Sequence, residues 1–160
     1  MAATIQIHEM TGVEAGVDKT SGTVRFKSAD NTTVDTNDRI PVPGAGTNYS
    51  YTKQVQFYFS TGPAVDIQNL RAYTDGSNNF GTGVGVQYDT SASFTTNINT
   101  NIAGTDLFTK TSGSSQTLGA GPFTGTGYKG SLLRMQMTVA STAASGQLTA
   151  ETLSMAYDET

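Results

Sequence analysis

Apolar and polar side chains alternate along two segments of the chain, residues 49–60 and residues 131–140. A period of two places successive side chains on opposite faces of a β-strand, whereas a helix repeats its apolar positions every three to four residues. The apolar parity therefore predicts the core side chains: Tyr49, Tyr51, Val55, Phe57 and Phe59 in the first segment, and Leu133, Met135, Met137 and Val139 in the second.

The composition favours β-structure throughout the chain. Threonine and serine supply 27 and 14 of the 160 residues, whereas there are only 4 Glu and 5 Lys. Threonine, valine and aromatic residues suit a pleated, half-buried surface. We expect an all-β fold, an antiparallel β-sandwich of jelly-roll or immunoglobulin-like kind, with about eight strands and long polar loops. Residues 1–160 form one domain in this interpretation, and residues 1–10 form an extended N-terminal strand or arm.

The shorter segments are assigned in the same way. Alternation predicts strands over residues 3–10, 23–27, 84–88 and 147–157, a weaker strand or turn over residues 94–102, and a short strand over residues 106–110. A helix is the less favoured alternative for residues 148–157. A parity break within residues 67–73 suits a β-bulge. Residues 28–48 and 111–130 are predicted to be loops, the second with Phe123 packed against the protein.

Charge and residue usage exclude several classes of function. The net charge of −4 is divided evenly between the two halves of the chain, so neither half has the basic field that nucleic acid requires. The chain has no cysteine and one histidine, which removes disulfides, thiolate zinc sites and multi-histidine sites. No apolar run approaches membrane-spanning length, and the N-terminus has no signal-peptide pattern. We expect synthesis in a cytoplasm and no membrane anchor.

The sequence contains few side chains that could take part in catalysis or bind a metal. His8 is the only histidine, and the carboxylates are scattered among turn residues, so we expect no enzyme activity. Asp30, Asp35 and Asp38 form the one oxygen-rich cluster, which can bind calcium, although Asx-turns explain the same residues. We predict no other cofactor.

Three segments contain no charged residue: 90–105, 111–128 and 135–150. A neutral surface suits contact with another protein, because no charge loses its hydration there. Tyr58 and Tyr128 are also candidates for a sugar-binding platform. The candidate partner-contact residues are Ile5, Ile7, His8, Ile40, Val42, Tyr58, Phe123 and Tyr128.

Residues 69–84 read NLRAYTDGSNNFGTGV and residues 153–160 read LSMAYDET. These segments resemble parts of small β-sandwich virion proteins of tailed bacteriophages, in particular capsid decoration (cement) proteins. The resemblance implies a structural protein on the capsid surface of the virion, which bridges major capsid protein subunits and forms a homo-oligomer, a trimer or dimer. A carbohydrate-binding adhesion module and a tail or fibre subunit remain the alternatives.

Overall fold

The computed structural model describes residues 3–12 and 16–160, and within them the chain forms an all-β fold of antiparallel strands. The predicted fold class is confirmed. Two short 3₁₀ helices, Leu107–Thr109 and Ser112–Ser114, accompany the strands. The strands are β1 (Thr4–Met10), β2 (Val17–Asp18), β3 (Thr47–Tyr49), β4 (Lys53–Thr61), β5 (Ile67–Tyr73), β6 (Val84–Ser91), β7 (Thr105–Asp106), β8 (Gln116–Gly119), β9 (Gly127–Ala140) and β10 (Ser154–Glu159).

The strands form two sheets. The larger sheet has seven strands in the order β2-β1-β4-β9-β6-β7, and β3 also pairs with β9. The smaller sheet has the order β10-β5-β8. In the described residues no helix is long and apolar enough to cross a membrane.

The hydrophobic core lies on the inner face of the larger sheet and includes side chains of the smaller sheet. Val55, Phe57 and Phe59 of β4 are completely buried there, together with Ile67 and Leu70 of β5. Their parity is the one predicted from the sequence. Each fully buried side chain of this size contributes about 1.5–3 kcal/mol to folding.

Residues 49–60 form two strands where the alternation predicts one. Tyr49 ends β3, and β4 begins at Lys53. Between them the amide of Ser50 still donates to the carbonyl of Met137 in β9 at 3.0 Å, but the amide of Tyr51 donates to the carbonyl of Lys27 and that of Thr52 to Ile98, both at 2.8 Å. Tyr49 and Tyr51, predicted to be core side chains, are only partly buried, whereas Ser50 and Thr52 are completely buried, so the predicted apolar parity holds only from Val55 onwards.

The bulge predicted in residues 67–73 is present. Asn69 has a positive φ of 52°, and the register against β8 shifts between Leu70 and Arg71. Because of this irregularity Ile67, Leu70 and Ala72 all reach the core although their spacing is uneven.

Several segments differ from the predictions. Of residues 106–110, only Asp106 belongs to a strand, β7, and Leu107–Thr109 form a 3₁₀ helix. Residues 23–27 and 92–104 pair with no strand in the described part of the chain, although Val24 and Phe26 pack against the core. Residues 111–130 include β8 and the start of β9, and only Ser154–Glu159 forms a strand near the C-terminus. Alternation reports which side chains are buried, and extended loops that cover a sheet bury side chains as strands do.

The N-terminal segment is a strand of the chain's own sheet, and the predicted contact residues Ile5 and Ile7 lie within it, only partly buried. Ile5 pairs with Phe59 and Ile7 with Phe57, and both isoleucines pack against the core. The backbone of Ile7 is also bonded on its other side, donating to Thr20 Oγ1 at 3.0 Å and accepting from the amide of Lys19 at 2.7 Å. Residues 1–2 of the predicted arm lie outside the described residues.

The core assignment can be checked with two matched substitutions. Val55→Ala removes two methyl groups from a completely buried site and is expected to lower the free energy of unfolding by about 2 kcal/mol. Val65→Ala makes the same change at a side chain that is 63% exposed and should alter that free energy by less than about 0.5 kcal/mol. Urea unfolding measures both. Equal effects would contradict the placement of β4.

Candidate functional site

Three ring-bearing side chains lie together on the outer face of the larger sheet, the face opposite the core. We call His8, Tyr58 and Tyr128 the aromatic cluster. They come from the neighbouring strands β1, β4 and β9. Tyr58 pairs directly with Tyr128 and with Gln6, so its neighbours on the same face include His8, two residues beyond Gln6. Each of the three was a predicted contact residue, and the register brings them together.

The rings of the aromatic cluster contact one another directly. His8 stacks on Tyr58 with ring centroids 4.4 Å apart and 17° between the planes. Tyr128 meets both rings edge to face, at 4.9 Å from Tyr58 and 5.6 Å from His8. Tyr128 is 41% exposed, whereas His8 is 9% exposed. The cluster therefore presents Tyr128 to solvent on a base formed by the other two rings.

A chain of hydrogen bonds orients the aromatic cluster. His8 Nδ1 lies 3.2 Å from the Tyr128 hydroxyl, and His8 Nε2 lies 3.2 Å from Gln6 Oε1. Since Gln6 Oε1 can only accept, the proton of the neutral ring belongs on Nε2, and Nδ1 accepts from the Tyr128 hydroxyl. Gln6 Nε2 in turn donates to Asp18 Oδ2 at 2.8 Å.

The cluster is uncharged at neutral pH. Burial lowers the pKa of His8 below its ordinary value, although the nearby Asp18 carboxylate acts in the opposite direction. Burial also raises the pKa of Tyr128, with a further contribution from Tyr58. Asp18, at the edge of the aromatic cluster, stays ionised because hydrogen bonds, mainly from Thr20, lower its pKa.

Gly16 closes one side of the aromatic cluster. A Cβ atom added there would lie 2.3 Å from the Tyr128 hydroxyl oxygen and 2.7 Å from the sulfur of Met10. Only glycine allows this approach without displacing Tyr128. Sequence reasoning missed Gly16, Gln6 and Asp18. Gln6 and His8 share a parity, which indicates that they lie on the same face of β1. The positions of Gly16 and Asp18 beside the cluster depend on the path of the chain after β1, which the sequence pattern does not give.

The remaining predicted contact residues lie apart from the aromatic cluster. Ile40 packs against the core, and so does Phe123, whose backbone exchanges two hydrogen bonds with Ile67. Both side chains are only partly buried, and their contact with a partner stays a prediction. Val42 is partly exposed.

The carboxylates predicted to bind calcium contact other groups of the chain. Asp35 and Asp38 approach the buried ammonium of Lys27 at 2.9 Å and 3.5 Å. Asp30 accepts from Asn97 Nδ2 at 2.7 Å. The described residues contain no group of three or more metal-ligating side chains, and we derive no metal chemistry from this loop.

Three lysines anchor residues 28–38 to the protein. Lys27 Nζ donates to Asn31 Oδ1 at 3.0 Å as well as to Asp35, Lys19 Nζ donates to the carbonyl of Thr32 at 2.8 Å, and Lys53 Nζ donates to the carbonyl of Asn31. The hydrogen bond from Lys27 is the main cause of the lowered pKa of Asp35. Residues 28–38, part of the segment predicted to be a long polar loop, are thus held against the sheet by three lysine ammonium groups.

A depression of about 310 Å³ lies between residues 79–82 and 142–149. The described residues that line it carry no charge. Phe80 is the one aromatic ring in its wall, and the ring packs edge to face on Phe108.

Comparison with known proteins found no match: no family model, no curated protein and no solved structure is similar to this chain.

The protonation state of His8 predicts how stability depends on pH. Because the pKa of His8 is lowered in the folded protein, the unfolded chain binds a proton below about pH 6.5 that the folded chain does not. The free energy of unfolding is therefore expected to fall from pH 7 to pH 5. The His8→Gln variant, followed by urea unfolding over this range, should lose part of that slope. An unchanged slope would contradict the buried neutral histidine.

Removal of the Lys27 ammonium should release residues 28–38. Lys27→Met leaves Asp35 and Asp38 able to hydrate but removes their shared partner, which we expect to cost about 1–3 kcal/mol. Hydrogen exchange of the amides in residues 29–38 should become faster than in the wild type. Lys110→Met is the matched control, since Lys110 forms no ion pair within the described residues; acceleration in both variants alike would argue against the anchor.

Proposed function

We propose that this protein is a non-enzymatic structural protein of a phage virion, a capsid decoration protein that binds the outer surface of the head and bridges major capsid protein subunits. The observation that carries the proposal is the aromatic cluster. It offers an exposed tyrosine on a rigid, uncharged base, and tyrosine is among the residues that contribute most at protein interfaces.

The distribution of charge supports contact by surface complementarity. Five of the nine lysine and arginine residues form ion pairs with carboxylates of the same chain. The carboxylates of the chain itself thus already neutralise these cations. The charge-free segments supply exposed hydroxyl groups, as at residues 124–126 and 144–147. A partner can cover such a surface without removing water from unpaired charges. The five cations in ion pairs are Lys19, Lys27, Lys53, Arg71 and Arg134.

The capsid as the partner follows from the resemblance of residues 69–84 and 153–160 to decoration proteins. Part of the first segment is the central strand β5 of the smaller sheet, and the second includes β10, its neighbour. The similar residues thus pair with each other across one sheet. In this proposal the protein acts as a homo-oligomer on the assembled head.

The test mixes the purified protein with expanded, undecorated heads built from the major capsid protein of the same genome. Pelleting and imaging should show stoichiometric density at regular lattice positions. Tyr128→Ala is expected to weaken binding at least about fivefold, because truncating a central interface tyrosine costs more than about 1 kcal/mol. Val65→Ala, which truncates an exposed side chain outside the aromatic cluster and outside both similar segments, is the control. Absence of density on the heads would refute the decoration role.

A carbohydrate-binding module is the second candidate, favoured by the polar groups beside Tyr128. Gln6 and Asp18 supply an amide and an ionised carboxylate within the hydrogen-bond chain that begins at the Tyr128 hydroxyl. Aromatic platforms with such neighbours suit sugar rings. Binding to a glycan array that Tyr128→Ala abolishes, without binding to heads, would favour this candidate and an adhesive place in a tail or fibre.

A further inference from the structure

Glu9 and Lys53 form an unusual charged contact on the inner face of the larger sheet. Glu9 belongs to β1 and pairs with Val55, so Lys53 of β4 is its diagonal neighbour on the same face. Both side chains are completely buried, and Lys53 Nζ lies 3.0 Å from Glu9 Oε1. Lys19 Nζ approaches the other oxygen, Oε2, at 3.7 Å. Residues 28–38 cover this end of the sheet.

The carboxylate of Glu9 lacks the hydrogen bonds that a buried carboxylate needs. Neither of its oxygens accepts a hydrogen bond from a described residue, although the Lys53 nitrogen touches one of them. Lys53 itself donates to the carbonyl of Asn31. An ion pair removed from water is costly unless hydrogen bonds satisfy its remaining lone pairs, and no described residue donates one to Glu9. A neutral product at this position would remove that cost.

We propose that Lys53 and Glu9 condense to an intramolecular isopeptide bond between Lys53 Nζ and Glu9 Cδ. Proton transfer within the pair gives an amine and a carboxylic acid, and the amine nitrogen then attacks the carboxyl carbon. Two protons of the original ammonium leave with one carboxyl oxygen as water, and the new N–C bond replaces the C–O bond that breaks. The charges of the pair cancel, and neither an oxidant nor a cofactor takes part.

The surroundings favour this condensation. Strand pairing fixes the two side chains in contact, and reacting groups held at about 3–3.5 Å gain greatly in effective concentration. The Lys19 ammonium is placed to stabilise negative charge that develops on Oε2 during the attack. The product also fits the site better than the ion pair, since its single N–H keeps the Asn31 carbonyl as acceptor and its oxygen faces Lys19.

The bond would join β1 to β4 covalently in a chain that has no cysteine. It closes a loop from residue 9 to residue 53, which includes the loop that covers the pair. A cross-link of this kind stabilises the folded state by restricting the unfolded chain, as a disulfide does. It needs no oxidising compartment, and it opposes separation of the first strand from the sheet.

Mass spectrometry of the denatured wild-type protein tests the proposal. We expect the intact mass to be lower than the sequence mass by one water. Trypsin should fail to cut after Lys53, so that residues 40–71 stay joined to residues 1–19 in one branched peptide. Separate peptides 40–53 and 54–71 with the full sequence mass would overturn the proposal.

Internal and variant controls make the result specific. Lys27 contacts Asp35, but Asp35 accepts hydrogen bonds and is partly exposed, so trypsin should cut after Lys27 and release residues 28–39. Lys53→Arg keeps the positive charge but is expected to lose the branched peptide and restore the sequence mass. Loss of one water that persists in Lys53→Arg and in Glu9→Ala would place the modification elsewhere and refute the assignment.

Discussion

Burial of β4 on both faces is the constraint from which the rest of the structure follows. Its inner side chains, such as Phe57, meet the smaller sheet, while Gln54 on the outer face is equally inaccessible to water. A buried amide must be hydrogen-bonded, because an unpaired one costs about 1–3 kcal/mol. Residues 92–104 meet that requirement: Gln54 Nε2 donates to Asn97 Oδ1 at 2.6 Å, and Gln136 on β9 donates to the carbonyl of Thr100 at 3.0 Å.

The neutral loops thus have a structural role as well as an exposed surface. Residues 92–104 supply carbonyl and amide groups to the outer face, and residues 28–38 supply them to the lysines at the end of the inner face. Among the described residues three charged side chains, Glu9, Lys27 and Lys53, are almost fully buried, whereas the segments 90–105, 111–128 and 135–150 carry no charge. The exposed parts of these charge-free segments offer hydroxyl and amide groups, which is the chemistry that the proposed binding role requires.

Sequence periodicity predicted burial better than it predicted strands. It identified Val55, Phe57 and Phe59 correctly, and it also identified Phe26, which packs against the core from a segment that pairs with no described strand. It missed the burial of Glu9, although Glu9 shares the parity of Ile5 and Ile7. A carboxylate among the apolar positions of a strand indicates a buried cation beside it. Only the register of β1 on β4 shows that this cation is Lys53.

The sequence by itself determined the all-β class, the apolar face of each long strand and the neutral character of the surface, because alternation and composition are local properties of the chain. The tertiary structure decided which distant residues meet. His8, Tyr58 and Tyr128 are separated by many residues, and their contact depends on the order β1-β4-β9 and on its register. A shift of one residue would turn each of these side chains to the opposite face, so register, which long-range pairing sets, decided where the candidate site lies.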